Sequence, residues 1–197
     1  MTAEPPTNLA HRLVRSGALE VSTIGVVGAG AVLASIAAAP GWNGAAGALL
    51  AGLMLAIAVI DHRRMIIPDE LNALAFIGGL VTAGVGMEAA SVAILQALVR
   101  AAVMFTLFFV FRAGYRALRG VEGMGLGDVK LAAVAGVWLD WAFLPIVVEI
   151  AALSALAAAL YAHFRGDGFD PKARRAFGAF FAPAIWICWA LAAWRGG

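Results

Sequence analysis

The chain has 197 residues, of which 63% are hydrophobic and 13% are charged, and its formal net charge is +2. Soluble domains are about half apolar and about a quarter charged, so this composition excludes a soluble globular domain and indicates a polytopic membrane protein. The single cysteine, Cys188, excludes a disulfide within the chain and a cysteine-based zinc site.

The N-terminal segment, residues 1–16, is polar and contains Pro5, Pro6, Arg12 and Arg15. We expect it to be a short cytosolic tail. The apolar run that follows ends in small residues, as a signal peptide would. Its length of about 20 residues is enough to cross a bilayer, however, so we predict a retained first helix.

Apolar runs then follow one another to the C-terminus, separated by turns and polar loops. Counting the first, there are seven, at about 19–39, 44–60, 71–87, 92–111, 129–139, 142–164 and 177–194. The fifth is short for a complete span. We predict an all-α membrane helix bundle with about seven transmembrane segments, in which residues 17–197 form one membrane-embedded domain.

The basic residues predict the topology. A cytosolic N-terminus puts most of them on the cytosolic side, which is the positive-inside pattern. These are Arg12, Arg15, Arg63, Arg64, Arg112, Arg116, Arg119, Lys130, Arg165, Lys172, Arg174 and Arg175. Of the other two, Arg100 lies within the fourth run and Arg195 follows the last run on the outside.

Two carboxylates reach the same membrane depth in this topology. Asp61 ends the second run and Asp128 opens the fifth, both at the cytosolic side. Two carboxylates within reach of one water do not both ionise easily, so they share a proton, one acting as base and the other as acid. Such a pair activates water against a peptide carbonyl and protonates the leaving amine.

Glycines precede Asp128 at alternate positions, Gly123, Gly125 and Gly127. Without a β-carbon, they permit unusual backbone dihedrals and the close approach of a neighbouring helix or an extended substrate. This property suits a site that receives a peptide within a helical bundle.

Two motifs together resemble those of the prepilin peptidases, membrane aspartyl proteases of the GxGD type. One is GLGD followed by VKL, at residues 125–131, and the other is the D-x7-D of DHRRMIIPDELN, at residues 61–72. The resemblance covers about 44–197. It implies that Asp61 and Asp128 are the catalytic residues of an enzyme in the bacterial inner membrane, with no metal or organic cofactor. It also implies cleavage, after a glycine on the cytosolic side, of the basic leader of a prepilin or pseudopilin.

The sequence also departs from the long members of that family, which carry a cytosolic insertion with paired zinc-binding cysteines and methylate the new N-terminus. Nothing here corresponds to that insertion, so the resemblance is to the short, peptidase-only members that process Flp-type pilins, and we expect no methyl transfer. We expect contacts with membrane lipids and none with nucleic acid. The candidate substrate-binding residues are Gly125, Gly127, Lys130 and Pro183, the last within FGAFFAPAIW.

Several of these residues have simpler interpretations. Asp128 is also placed to cap a helix, and Asp69, which follows a proline, is more typical of a helix cap than of a catalytic group although it is the alternative first aspartate. Arg100 and Glu149 lie within apolar runs, where isolated charges are costly, and we expect them to form an ion pair between packed helices.

Two other functions fit part of the sequence. A presenilin-like protease shares GxGD, but its first aspartate follows a tyrosine inside the membrane, whereas Ile60 precedes Asp61 and arginines follow it. A small transporter or channel subunit would use Asp61, Asp128 and Glu149 to carry ions. A conduction path needs acids spread across the membrane, however, and the two motif aspartates lie at one side.

Overall fold

The computed structural model describes residues 6–165 and 176–196, with side chains from residue 22 onward. This part of the chain is helical and contains no strand. The helices are α1 (Pro6–Ala38), α2 (Trp42–Arg64), α3 (Asp69–Gly84), α4 (Ala90–Arg119), α5 (Leu126–Trp138), α6 (Phe143–Phe164) and α7 (Gly178–Arg195). Each of the seven predicted runs corresponds to one helix, so the all-α prediction is confirmed.

Two helices, α1 and α4, extend well beyond the apolar runs that predicted them. α1 begins at Pro6 and includes much of the predicted tail, and α4 continues to Arg119, well beyond residue 111. Both extensions are polar but contain alanine, leucine and arginine, which are strong helix formers. α4 ends at Gly120, whose φ of 70° is a left-handed conformation that glycine adopts without strain. Residues 166–175, with Lys172, Arg174 and Arg175, lie outside the described residues, as do the side chains of Arg12 and Arg15.

Four helices, α2, α4, α6 and α7, are long and apolar enough to cross a membrane. The apolar part of α1, Ser22–Ala38, is somewhat shorter. With 16 and 13 residues, α3 and α5 fall short of the roughly 20 residues that a span needs. The chain is a multi-pass membrane protein, and the side on which its N-terminus lies stays a prediction.

Helix α5 is enclosed by the rest of the bundle and packs against α3, α4, α6 and α7. Leu131 and Val134 of α5 are buried in one core with Leu50 of α2 and Phe181 of α7. Burial of such side chains stabilises a fold by about 1.5–3 kcal/mol each in water. Because its neighbours surround it, the short α5 needs no long apolar exterior of its own.

The predicted ion pair between Arg100 and Glu149 is wrong. The Arg100 guanidinium lies 3.5 Å from a carboxylate oxygen of Asp140, and its Nε donates to the Gly136 carbonyl at 3.1 Å. Glu149 lies on the exposed face of α6. Arg100 therefore joins α4 to the end of α5 and to the connection that follows it, and it does not meet Glu149 because α4 packs against α5 and not against α6.

Candidate active site

Asp61 lies in the last turn of α2 and is buried, with 5% of its surface exposed. Its Oδ2 accepts a hydrogen bond from the Ala179 N–H at 2.9 Å. The helix ends just beyond it, because Met65 adopts a left-handed conformation and donates its N–H to the Asp61 carbonyl at 2.8 Å. The carboxylate is thus held between the end of α2 and the start of α7.

Asp128 is the third residue of α5 and is 7% exposed. Its Oδ2 accepts a hydrogen bond from the Gly125 N–H at 3.1 Å, as the acidic residue of a capping box does. The interpretation of Asp128 as N-cap of the helix is therefore wrong, since Gly125 is the N-cap and Asp128 bonds back to it from the third position of the helix. Its Oδ1 is buried, and no described residue donates a hydrogen bond to it.

The two carboxylates belong to one electrostatic site. α7 packs against both α2 and α5, and the backbone of Gly178 at its start faces both aspartates. Asp128 lies on a helix too short to cross the membrane. Burial raises the pKa of Asp128 to about 6, and the negative charge of Asp61 contributes to the same increase. The start of α7 is thus common to both carboxylates, and the sharing of a proton between them stays a prediction.

The glycines before Asp128 provide room for close contacts rather than unusual dihedrals. None of Gly123, Gly125 and Gly127 has a positive φ. A β-carbon on Gly123 would lie 2.6 Å from the Tyr115 ring, and one on Gly127 would lie 2.9 Å from Ile67 Cβ. The expectation of close approach therefore holds for side chains of this chain, and the role of Gly125 and Gly127 toward substrate stays a prediction.

The loop before α5 is held by the end of α4. Arg112 donates from Nε to the Met124 carbonyl at 3.1 Å, and its terminal nitrogen lies 2.9 Å from a carboxylate oxygen of Glu122. Only 18% of the Arg112 side chain is exposed, so these bonds are partly shielded from water. They set the backbone path that leads into Asp128.

We expect Arg112→Met to lower kcat about tenfold for the peptide cleavage that the motif resemblance implies, because loss of a charge-assisted hydrogen bond costs about 1.5 kcal/mol or more and leaves the Asp128 loop less ordered. The measurement is steady-state cleavage in detergent at matched protein concentration. The control is Arg119→Met, an exposed arginine at the end of the same helix. Equal kcat values for the two variants would contradict this role.

Asp69 and Lys130 bind each other near the surface, whereas the two motif aspartates are buried. Pro68, rather than Asp69, is the N-cap of α3, so the predicted capping role is wrong. The Asp69 carboxylate instead accepts a hydrogen bond from Lys130 Nζ at 2.7 Å, and 69% of its side chain is exposed. A side chain bound to an exposed lysine is poorly placed to share a proton with Asp128.

Lys130 also lines an apolar cavity of about 790 Å³ between α3, α4 and α5, with Asn72, Phe76 and Phe105 among the other lining residues. Lys130 lies two residues beyond Asp128, which is about 200° around a helix of 3.6 residues per turn. The cavity is therefore on the other side of α5 from the Asp128 carboxylate, and substrate binding by Lys130 stays a prediction.

Pro183 lies inside α7, four residues after Ala179. Because proline has no N–H, it donates no helical hydrogen bond to the Ala179 carbonyl.

In the described residues, no three His, Cys, Asp or Glu side chains cluster in a way that would hold a metal ion. Glu149, the third acid of the ion-pathway interpretation, is exposed on α6, whereas Asp61 and Asp128 are buried.

Comparison with known proteins identifies the class. The model of the type IV leader peptidase family matches residues 48–162, which is more than half of the chain. The chain belongs to the type IV leader peptidase family, which confirms the resemblance predicted from its two motifs. No solved structure matches it.

Curated relatives agree. The chain is 33% identical over 163 residues to the prepilin leader peptidase/N-methyltransferase of Aeromonas hydrophila, covering 79% of this chain and 52% of the relative. It is 36% identical over 140 residues to that of Burkholderia pseudomallei (strain K96243), covering 70% and 44%. It is 34% identical over 128 residues to that of Klebsiella pneumoniae, covering 63% and 53%. The chain thus spans about half the length of the curated relatives that it matches.

Sequence reasoning missed three features around the aspartates. They are the side chain of Ile67, the bonds of Arg112 to the loop before α5, and the start of α7 at Gly178 and Ala179. The side chain of Ile67 packs against both Gly127 and Gly178. For the start of α7, the only sequence signal was the glycine itself, in a segment singled out for its proline. Nothing local distinguishes a glycine that faces a distant carboxylate from one that faces another helix.

Proposed function

We propose that this chain is a membrane aspartyl endopeptidase that removes the basic leader from type IV prepilins of the Flp-like kind, at the cytosolic face of the bacterial inner membrane. The observation that carries the proposal is the pair of buried motif aspartates, Asp61 and Asp128, at the start of α7 in a member of the leader peptidase family. The curated relatives named as prepilin leader peptidases support the choice of substrate.

The two aspartates have different surroundings, which favour different roles. Each carboxylate accepts one backbone N–H through Oδ2, a bond that favours the ionised form, and the bond is shorter at Asp61, 2.9 Å against 3.1 Å at Asp128, so we assign Asp61 as the base. Asp128 has a raised pKa and a buried Oδ1 to which no described residue donates, so we assign it as the acid. The proton belongs to the coupled pair, and the assignment describes the reactive microstate.

In that microstate Asp61 accepts a proton from water while the water oxygen bonds to the carbonyl carbon of the scissile peptide. Asp128 donates its proton to the carbonyl oxygen, giving a neutral tetrahedral diol. The diol then collapses, the C–N bond breaks, and the leaving nitrogen takes the proton held by Asp61. The products are the leader with a new carboxyl group and the mature chain with a new amine, with Asp128 reprotonated from the diol.

Pro183 and the motif glycines support the substrate side of the proposal. The Ala179 carbonyl lacks a helical bond from Pro183 and belongs to the residue whose N–H contacts Asp61. We propose that Pro183 contributes to substrate binding through this interruption of the helical hydrogen bonds. Gly125, Gly127 and Lys130 remain the other proposed substrate contacts.

We propose further that this chain does not methylate its product. The zinc-binding insertion that the resemblance associates with methyl transfer needs paired cysteines, and this sequence contains one cysteine, buried in α7.

Co-expression with an epitope-tagged Flp-type prepilin, in a bacterial host that lacks its own prepilin peptidase, tests both proposals. We expect the mass of the pilin to fall by that of its leader, with cleavage after the leader glycine and no added methyl mass. An uncleaved prepilin, with the peptidase present in the membrane fraction, would contradict the proposed peptidase. A product heavier by one methyl group would contradict the absence of methyl transfer.

A further inference from the structure

The start of α7 lies between the two aspartates. α7 packs against α2, which carries Asp61, and against α5, which carries Asp128. The Ala179 N–H donates to Asp61, and the Gly178 backbone faces both carboxylates. The first N–H groups of a helix have no partner within the helix, and they form its positive end. They are therefore available to a pair of carboxylates that shares one negative charge.

Gly178 has no room for a side chain. It is buried, and a β-carbon on it would lie 2.9 Å from Asp61 Oδ2 and 2.6 Å from Ile67 Cδ1. Both distances are shorter than real β-carbon contacts. Any larger residue must displace the carboxylate, displace Ile67 or lift α7 away from α2.

The start of α7 is itself anchored. The Phe177 and Phe181 rings stack with their centroids 5.4 Å apart, and Phe181 stacks on Phe108 of α4 at the same distance. Phe181 is fully buried. Aromatic pairs of this kind stabilise the packing by more than the area they bury. The start of α7 is therefore held in place and does not move easily to accommodate a new side chain.

We propose that Gly178 is a positioning residue for the aspartate pair: the absence of a side chain there lets the first backbone N–H groups of α7 hold Asp61 in the orientation needed for proton transfer with Asp128. The inference rests on the proposed aspartyl peptidase function. It assigns a role in orienting Asp61 to the N-terminus of α7 and to a glycine outside both sequence motifs.

The test compares Gly178→Ala with wild type in steady-state cleavage of a purified Flp-type prepilin. The control is Gly52→Ala, because Gly52 is an exposed glycine of α2 at which an added β-carbon would have no neighbour within 4 Å. We expect kcat to fall about 10- to 100-fold in Gly178→Ala, because loss of a well-placed hydrogen bond to a charged group slows a reaction by about this factor. We expect KM to stay within about twofold of wild type. The control keeps both values.

A second variant separates positioning from folding. Gly178→Ala combined with Ile67→Ala removes the contact with Ile67 but leaves the contact with Asp61. We expect the pair to have the thermal unfolding midpoint of Ile67→Ala alone and the low kcat of Gly178→Ala. A wild-type kcat in Gly178→Ala, a rise in KM alone, or recovery of kcat in the double variant would overturn the inference. Wild-type protein and Asp61→Asn in the same assay report on the proposed function itself, because its failure would appear as no cleavage by wild type or as full cleavage by Asp61→Asn.

Discussion

Replacing either Asp61 or Asp128 with asparagine is expected to lower the rate of prepilin cleavage about 10²- to 10⁴-fold, the usual contribution of a positioned acid or base. Asparagine keeps the shape of the side chain but neither accepts the proton of water nor donates an acidic proton. Both side chains are almost completely buried, so we expect no carboxylate from the buffer to replace the missing one.

The measurement is the initial rate of leader removal, scored by mass, for variants at matched levels in the membrane. Asp69→Asn is the matched control, because Asp69 is the second aspartate of the D-x7-D motif and yet is exposed and bound to Lys130. We expect Asp69→Asn to cleave within about threefold of wild type, since exposed ion pairs contribute little. Cleavage by Asp61→Asn at the wild-type rate, together with loss of cleavage in Asp69→Asn, would move the base to Asp69.

The second large effect concerns stability rather than chemistry. A β-carbon on Gly136 would lie 2.5 Å from the backbone N and Cα of Ala101, so α4 and α5 touch there backbone to backbone. We expect Gly136→Ala to force the helices apart at a cost of about 1–3 kcal/mol, as overpacking does in cores. The separation would also strain the bond from Arg100 to the Gly136 carbonyl.

Thermal unfolding in detergent checks this expectation. A loss of that size would lower the midpoint by roughly 2–12 °C in a chain of this length. Gly52→Ala again serves as control and should keep or slightly raise the midpoint, because alanine favours a helix over glycine. Gly136 lies eight residues from Asp128, about 12 Å along α5, so the folded variant should still cleave. Equal midpoints for Gly136→Ala and Gly52→Ala would contradict the close packing.

The partners of the charged residues show where sequence reasoning stopped. The burial of Arg100 in an apolar run predicted that it needs a partner, and it has one. The run did not identify Asp140 or the Gly136 carbonyl, because the partner depends on which helices pack together, and α4 packs against α5 but not against α6. The sequence around Asp69 likewise predicted a helix cap, although the tertiary fold brings Lys130 to it from a distant helix.

The sequence by itself determined the seven helices, the membrane class and the two aspartates with the family they indicate. Apolar run length and the GLGD and D-x7-D motifs are local, and each is recognisable within one continuous stretch of the chain. Only the tertiary structure decided that the start of α7 lies between Asp61 and Asp128 and that Gly178 and Ile67 pack beside them. Contacts such as that of Gly178 with Asp61 join residues more than 100 positions apart, and they depend on how several helices pack together rather than on any local pattern.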